Sequence, residues 1–470
     1  MSAGVGALSA FGVGVENPAT PLTPAAISVY YPIVSESLTA NRAAVPSGSI
    51  VGDSMISAVA MGVSVCEGGF QMEVEGSVSG HAIWLWNGDN GYTHESLLPS
   101  ANTGWSSAAP TLGAASVGGA LPDGTYKWGV STVYNRTNDS RKIIMPGSTI
   151  SAGGTTSAGN NTILVTWVAP TAVPSGYTVA GYIIWRTIAG GSTLYFLKYQ
   201  SGTGVTYSDA GAILDGALQQ TKTPYSASIY EHIMVGSPPV ADDRLTPFSA
   251  YANHNNDLTN RFVSCRMDGM KLAVSGLDDK LMADFTLKGA AADSLANFTP
   301  TVVPLEPMLG WHCIVQMNGV ADSTLESFEI NCSNGVQMVP GMRGVAFNRD
   351  TISGRRSIQG QLTRQFEDND IWTQMLAGLD FSMRFTSYGQ PIASAVNHGI
   401  TSTMTNSGID AHPFEFYIQI DLHRCKLSKA GGNTGGPDRI IEQIGFEAFK
   451  DATAGTDMTI TFHNTTAQYQ

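Results

Sequence analysis

The chain has 470 residues, enough for two to four domains, and its 43% apolar content is ordinary for a globular protein. Only 13% of its residues are charged and its net charge is −13, which argues against tight nucleic-acid binding because phosphate contacts require Lys and Arg. The low charge, the 52 glycines and the many β-branched residues are typical of an all-β protein with surfaces buried against other chains.

The charge is distributed unevenly along the chain. Residues 110–221 contain six basic and four acidic side chains, a balance of +2 that leaves −15 for the remainder, and they contain no glutamate. This change of composition in the middle of the chain indicates a domain inserted into another domain.

Targeting and redox signals are weak. The five cysteines include no C-x-x-C pair, which favours reduced thiols over a disulfide framework or a zinc site. The N-terminal stretch lacks the basic region of a signal peptide, and no run of 18 apolar residues occurs, so we expect no membrane insertion.

The first hundred residues predict an arm followed by strands. Residues 1–27 are rich in Gly, Ala and Pro and predict a flexible N-terminal arm. The stretch FQMEVEGSV alternates between apolar and polar side chains, which predicts a strand whose solvated face carries Glu73 and Glu75. In the following HAIWLWNGDNGY, Trp84 and Trp86 are predicted to share a face before a turn.

A loose segment, LLPSANTGWSSAAP, leads into a middle region with a different pattern. LPDGTYKWGVSTVY, ILVTWVAPT, GYIIWR, STLYFLKYQ and VTYSDAG follow one another as strands separated by turns. This order resembles the fibronectin type III domains of bacterial and phage proteins. The resemblance implies an inserted Ig-like β-sandwich, and it places Trp167, Tyr182, Trp185 and Tyr207 in the core.

The last part of the chain predicts a loop, a helix and a long strand. Residues 238–260 show no clear periodicity and predict a long loop, whereas residues 368–379 have the apolar spacing of an amphipathic helix. The apolar face of that helix would comprise Ile371, Trp372, Met375, Leu376 and Leu379. FEFYIQIDLHRCKL alternates, which predicts a strand with Glu415 and Asp421 on its polar face. Its apolar face would comprise Phe414, Phe416, Ile418, Ile420 and Leu422.

The two outer parts resemble siphovirus-type phage tail tube proteins. The similarity lies in YYPIVSES, IVGDSM and VCEGGFQMEVEG, and then in CRMDGMKLAVSGLDDKLMADFTLKG, WHCIVQMNGV and GRRSIQGQLTRQFEDNDIW. It implies an all-β tail tube domain, a sandwich or barrel of two packed antiparallel sheets with one α-helix, assembled as stacked hexameric rings. The expected organisation is an arm (1–27), a first tail tube part (28–107), the insert (108–221) and a second tail tube part (222–470).

The same resemblance implies the partners and location of the protein. It would contact other copies of itself, a tape measure protein, a tail terminator and tail tip or baseplate proteins. DNA would pass through the lumen without specific binding. The protein would be assembled in the host cytoplasm and reside in the phage tail, and the insert would decorate the tube exterior.

The sequence shows no catalytic constellation, and we predict neither an enzyme nor a bound cofactor or metal. His423 and Cys425 are too few for a metal site, which usually needs three or four ligands. Glu73 and Glu75 are more typical of a solvated strand face than of an acid–base pair. Residues 87–91, NGDNG, are more typical of a turn than of a calcium loop.

Two further functions stay open from the sequence. A virion surface adhesin or carbohydrate-binding protein would act through the fibronectin-like domain and would form monomers or trimers instead of tubes. A secreted polysaccharide hydrolase is less favoured, because neither a signal peptide nor a carboxylate constellation is visible.

Two groups of residues are predicted to have roles in the tube, one in contacts between rings and one in the wall of the lumen. The long loop is expected to contact the neighbouring ring through Leu245, Phe248 and Tyr251. An acidic lumen wall that does not hold DNA is expected to include Glu73, Glu75, Glu415 and Asp421.

Overall fold

The structure is a computed structural model in which the chain divides into two compact units. Unit 1 comprises residues 1–94, 232–390 and 416–470, and unit 2 comprises residues 95–231 and 391–415. The structure describes residues 10–46, 59–89, 91–96, 108–137, 142–144, 148–171, 173, 176–213, 219–221, 230–236, 245–254, 258–295, 298–301, 305–342, 347–367, 370–392, 415–433 and 440–469.

Strands dominate the described residues, which confirms the all-β prediction, and two α-helices occur among them. The helices are α1 (Ser79–Asn87) and α2 (Asp370–Ala377), with a 3-10 turn at Gly310–His312. In chain order the strands are β1 (Ala10–Val15), β2 (Val29–Tyr31), β3 (Ile33–Glu36), β4 (Thr39–Pro46), β5 (Val59–Glu73), β6 (Tyr92–Ser96), β7 (Thr111–Leu112), β8 (Gly124–Tyr126), β9 (Trp128–Arg136), β10 (Lys142–Ile144), β11 (Gly154–Thr156), β12 (Ile163–Thr166), β13 (Tyr177–Arg186), β14 (Tyr195–Ser201), β15 (Thr206–Asp209), β16 (Gln219–Thr221), β17 (Tyr230–Val235), β18 (Phe248–His254), β19 (Leu258–Val274), β20 (Met282–Gly289), β21 (Ala291–Leu295), β22 (Cys313–Met317), β23 (Val320–Ala321), β24 (Leu325–Ser333), β25 (Gln337–Val339), β26 (Asp350–Ile352), β27 (Ser357–Gln365), β28 (Asp380–Pro391), β29 (Glu415–Asn433), β30 (Ile441–Ala448) and β31 (Met458–Asn464).

The centre of unit 1 is an antiparallel sheet in which β5, β20, β19, β24, β27 and β30 lie side by side. Along each strand apolar residues alternate with polar ones, so one face of the sheet is buried and the other faces solvent. The buried face includes Phe70, Phe285, Leu272, Ile330, Leu362 and Phe446. This sheet positions the candidate site on its opposite face.

Two long strands connect this sheet to the rest of unit 1. The first half of β19 pairs with β18 and β21, and its second half pairs with β20 and β24. Likewise, β29 pairs with β31 near its start and with β30 near its end. Phe11 of β1 and Tyr31 of β2 contact Phe70 of β5 at ring-centroid distances of 4.6 and 5.4 Å, so the sheet regions pack on a shared aromatic core.

The prediction of a flexible N-terminal arm is wrong for its described part. β1 pairs with β18 and β2, and Phe11 and Val13 are fully buried. Glu16 is also buried, where its carboxylate accepts hydrogen bonds from the Ser249 hydroxyl and the Ser264 backbone N–H at 2.6 and 2.9 Å. Residues 1–9 lie outside the described residues.

Helix α1 was not predicted, and its segment was interpreted as extended. Every residue of α1 is buried, including Ser79, His81 and Asn87, so the helix lacks the 3.6-residue alternation of apolar and polar faces that marks a surface helix. Trp84 and Trp86, two residues apart, point in different directions on a helix. The helix ends at the predicted turn, where Gly88 has a φ of 88°.

Helix α2 confirms the predicted helix, but its apolar face is not in the core of the chain. Ile371 is buried, whereas Trp372, Leu376 and Leu379 are 46%, 70% and 57% exposed. The 3.6-residue pattern correctly predicted a helix, but in the described part of the chain these three side chains are not buried.

Unit 2 is also antiparallel β. β10, β9, β13, β14 and β16 form one sheet, β15, β12 and β7 form a second, and β11 pairs with β8. One cluster of buried side chains joins the two larger sheets: Leu121, Tyr126, Trp128, Val130, Ile163, Val165, Trp167, Tyr182, Ile184 and Leu197. Trp185 lies in a second cluster on the other side of β13, and Tyr207 is partly buried against the main cluster.

Candidate functional site

The central sheet of unit 1 presents a continuous polar face, which we define as the solvent-facing residues of β20, β19, β24, β27 and β30 together with those of residues 67–73 of β5. Residues directly opposite each other in an antiparallel sheet point to the same side, so the register aligns them in rows. One row, continued onto β29, comprises Gln71, Asp284, Lys271, Asn331, Gln359, Glu447 and Lys426. This row contains three amides, two carboxylates and two lysines, and no apolar residue.

Lysines on and beside the polar face are held by carboxylates. Lys271 Nζ lies 2.8 Å from Glu329, and Lys280 Nζ lies 2.6 Å from Glu73. The hydrogen bond from Lys271 lowers the pKa of Glu329, and a second bond from Asn331 acts in the same direction. Because each of these ammonium groups is neutralised locally, the face carries charge without offering a free cation at these positions.

A third pair lies two rows away on the same face. Lys288 Nζ lies 3.1 Å from Asp268 and also donates to the Val336 carbonyl at 2.7 Å. Gln359 donates to the Glu447 carboxylate at 3.3 Å, so an amide rather than a lysine contacts this acid. The polar face is therefore a network of short contacts between side chains in which carboxylates outnumber lysines.

The four predicted lumen residues have different surroundings. Glu73 lies on the polar face, as expected, and its partner is Lys280. Asp421 lies on β29, where Arg384 Nε contacts it at 2.5 Å, and the half-buried Glu415 begins the same strand. The structure thus places one of the four on the polar face itself.

The expectation of a solvated Glu75 is wrong. Glu75 follows the end of β5 and is only 2% exposed. Its carboxylate accepts backbone N–H bonds from Val78 at 3.2 Å and Leu305 at 2.8 Å, and a further bond from the Ser77 hydroxyl. These bonds connect the segment that precedes α1 to the loop at Leu305. They also supply the hydrogen-bond donors that a buried carboxylate needs.

The expectation that Leu245, Phe248 and Tyr251 are free to contact another ring is also wrong for the isolated chain. All three are at most 5% exposed, and Phe248–His254 is the strand β18, which lies between β1 and β19. Both faces of β18 are covered, so its sequence shows no alternation and was interpreted as a loop. Residues 237–244 and 255–257 of the predicted loop lie outside the described residues.

Asp284, Glu329, Glu447 and Lys271 were missed as candidate site residues. The signal was present, because each lies in a strand with clean alternation, for example ADFTLKG in β20. Alternation identifies the solvated side of a single strand, but it does not reveal which strands lie side by side. The row appears only once the register is known.

The described residues contain no group of three or more side chains suited to hold a metal ion. His423 Nε2 contacts the Thr459 hydroxyl at 2.8 Å, and burial raises the pKa of Cys425 to about 12. All five cysteines are unpaired. Neither helix in the described part of the chain is long and apolar enough to cross a membrane.

Comparison with known proteins gives the family. No curated protein matches the chain. A family model described as phage tail tube protein matches residues 3–448, nearly the whole chain. The chain therefore belongs to the phage tail tube protein family: it is a structural component of the virion that assembles with copies of itself into a tube, in a family whose members are generally not enzymes.

Proposed function

We propose that this protein is the major tail tube subunit of a siphovirus-type phage, that six copies close into a ring, and that stacked rings form a lumen through which the genome enters the host. The observation that carries the proposal is the polar face, a single row of amides and charges across seven strands. A ring of such sheets has a hydrated inner wall, while the apolar sides of the sheets form the cores.

The chemistry of the polar face suits passage of DNA. Phosphates bind Lys and Arg that can replace the counterions of DNA, and each such contact adds affinity. On this face Lys271, Lys280 and Lys288 are paired with carboxylates instead. The wall we propose is therefore charge-balanced in its central row, which refines the expectation of an acidic wall, and DNA slides along it without being held.

The residues proposed for the lumen change accordingly. Glu73 stays a candidate, and Asp284, Glu329 and Glu447 join it because they share its sheet face. Glu415 and Asp421 stay candidates on β29. Glu75 leaves the proposal, since a buried carboxylate bonded to backbone presents no charge to a lumen.

We further propose that residues 108–221 are a fibronectin type III-like domain that decorates the tube exterior. Two features support it: unit 2 has its own core between two sheets, and its composition differs from the rest of the chain. Replacing residues 108–221 with a short Gly/Ser linker should leave tube assembly intact. Insoluble monomer as the sole product of that replacement would contradict the inserted-domain interpretation.

The remaining parts of the proposal concern partners and location. Assembly takes place in the host cytoplasm, where a tape measure protein sets the length of the tube. A tail terminator and tail tip or baseplate proteins bind its ends. The support for these partners is membership of the tail tube family together with the resemblance of the outer parts of the sequence.

Electron microscopy of the purified protein tests the tube and its symmetry. We expect hollow rings and tubes whose end views have sixfold symmetry. Monomers or trimers that bind glycans through unit 2 would instead support a virion adhesin. Rings with another number of copies would support the tube function but contradict the proposed sixfold symmetry.

Cysteine labelling tests which face lines the lumen. Q359C lies on the polar face and V117C lies at an exposed position of unit 2. In assembled tubes, a small maleimide should label both variants, whereas a large polyethylene-glycol maleimide should label V117C alone. Labelling of Q359C by the large reagent would place the polar face on the outside. The wild-type protein serves as the control for the native cysteines.

A further inference from the structure

A two-stranded ribbon extends from the central sheet of unit 1. Residues 66–73 of β5 pair with β20, whereas residues 59–65 pair with β4 alone among the described strands. Side chains at alternate positions of this extension are apolar and exposed: Val59, Met61, Val63 and Val65. We call this row the apolar ribbon. An isolated two-stranded ribbon is at best marginally stable in water, so this one requires a surface to pack on.

A second apolar surface lies on α2. Trp372 and Leu376 lie four residues apart on one face of α2, and Leu379 follows two residues after the helix ends; all three are about half or more exposed. Residues 371–379 contain no charged side chain, and neither does the row of the apolar ribbon. Exposed apolar patches without charge are typical of the centre of a protein interface.

A second copy of this chain is the partner that both surfaces fit. Each patch is exposed although the other lies in the same unit, so the chain does not satisfy them internally. The family assembles with itself. A ring needs a heterologous contact, in which two different patches of identical subunits meet, and the chain offers two such patches.

We propose that the apolar ribbon of one copy packs on the exposed face of α2 in the next copy and that this contact closes the ring. The proposal rests on the ring assembly proposed above and adds the surfaces through which it occurs. It also accounts for the amphipathic pattern of α2, whose apolar face would be covered only in the assembly.

Disulfide cross-linking of assembled M61C/L376C protein tests the pairing. Oxidation of its tubes should give a ladder of covalent oligomers on a denaturing gel, because every ring contact would link two chains. The highest rung would count the copies in the ring. M61C alone, L376C alone and the wild-type protein should give no ladder, since four native cysteines are buried and only Cys313 is partly accessible.

Aspartate substitutions supply an independent measurement if the cysteine variant does not form tubes. M61D and L376D should each raise the concentration needed for assembly by at least about tenfold, because the contact would bury a carboxylate without a partner. Both positions are exposed in the chain, so the urea midpoint of the monomer should not change. M342D, at an exposed methionine outside both patches, should assemble like the wild type.

The outcomes separate this inference from the proposed function. Normal tubes of M61C/L376C without a ladder, or M61D and L376D that assemble like M342D, would overturn the pairing and leave the tube function standing. Wild-type protein that forms neither rings nor tubes would overturn the proposed function itself.

Discussion

The two units are both antiparallel β, yet they differ in what they leave exposed. Unit 2 buries its described tryptophans, and its exposed large apolar side chains are all aliphatic. Unit 1 exposes Trp311 and Trp372 together with the apolar ribbon. Unit 2 therefore buries its described aromatic core within the chain, whereas unit 1 leaves aromatic and apolar surface exposed that the proposed contact between copies would cover.

The units also differ in how they use charge. In unit 2, Arg186 and Asp209 are both fully buried and lie 3.0 Å apart, and Trp128 donates a further bond of 3.0 Å to Asp209. In unit 1, the pairs of the polar face, such as Lys271 with Glu329, are open to solvent. A buried pair is costly to break, whereas an exposed pair contributes little to stability.

The largest effect we expect comes from breaking the buried pair. D209A should destabilise unit 2 by about 3–5 kcal/mol, because it leaves Arg186 charged and buried without its carboxylate. Calorimetry should show a shift in one unfolding transition, and tubes should still form if the units are energetically separate. D293A, which removes the exposed partner of Arg261 in unit 1, should cost about 1 kcal/mol or less. Loss of tubes in D209A would show that unit 1 depends on unit 2.

We expect the stability of unit 1 to depend on pH through one buried histidine, His232. His232 Nε2 contacts the Asn464 side-chain oxygen and the Thr466 carbonyl, both at 2.9 Å, so Nε2 carries the proton. The Tyr92 hydroxyl therefore donates to Nδ1 at 2.9 Å, and the Tyr469 ring stacks on the imidazole. Burial lowers the pKa of His232 to about 4, because removing the ring from water disfavours its charged form more than the bonds to Asn464 and Thr466 favour it.

The sign of the pH effect follows from that shift. The unfolded chain binds a proton at His232 below about pH 6.5, while the folded chain resists it until about pH 4. The stabilisation is complete above about pH 6.5 and is lost as the pH falls to about 4, which amounts to about 3 kcal/mol. H232Q should flatten this dependence in urea unfolding, whereas H423Q should keep it. An unchanged acid profile in H232Q would assign the effect to other groups.

The sequence correctly predicted the elements that are buried on one face and exposed on the other. The apolar face of β29 is confirmed at Phe416, Ile418, Ile420 and Leu422, and Phe414 lies outside the described residues. Tyr417, which alternates with these apolar residues and so shares the side of Glu415 and Asp421, is nevertheless buried, because β29 is also covered on that side near its start. The elements β1, β18 and α1 were missed for one physical reason: they are covered on all sides, so no periodicity marks them.

The sequence predicted that polar, charged side chains lie on solvated strand faces, but it did not predict which of them lie together in the candidate site. Alternation correctly identified Glu73 as solvated, and it failed at Glu75 because β5 ends between them. Pairings between residues far apart in the chain, such as Gln71 with Asp284 or Gln359 with Glu447, depend on strand order, which a single sequence does not encode locally. The same limit applies to α2: the spacing predicted the helix, but it did not predict that Trp372 and Leu376 are exposed.

The smallest effect on stability, and the finest test of the polar face, comes from E329Q. The substitution frees Lys271 from its carboxylate at a cost of less than about 1 kcal/mol in folding, because the pair is exposed. A free lysine facing the lumen should bind phosphate, so DNA ejection should slow at low salt and recover as salt rises. A plot of the logarithm of the ejection rate against the logarithm of the salt concentration should have a slope on the order of one per phosphate contact. E447Q makes the same change in charge on the same face, but the Glu447 carboxylate is bonded by Gln359 instead of a lysine, so ejection should be affected less. Equal ejection rates for E329Q, E447Q and the wild type at low salt would show that this face does not meet the DNA.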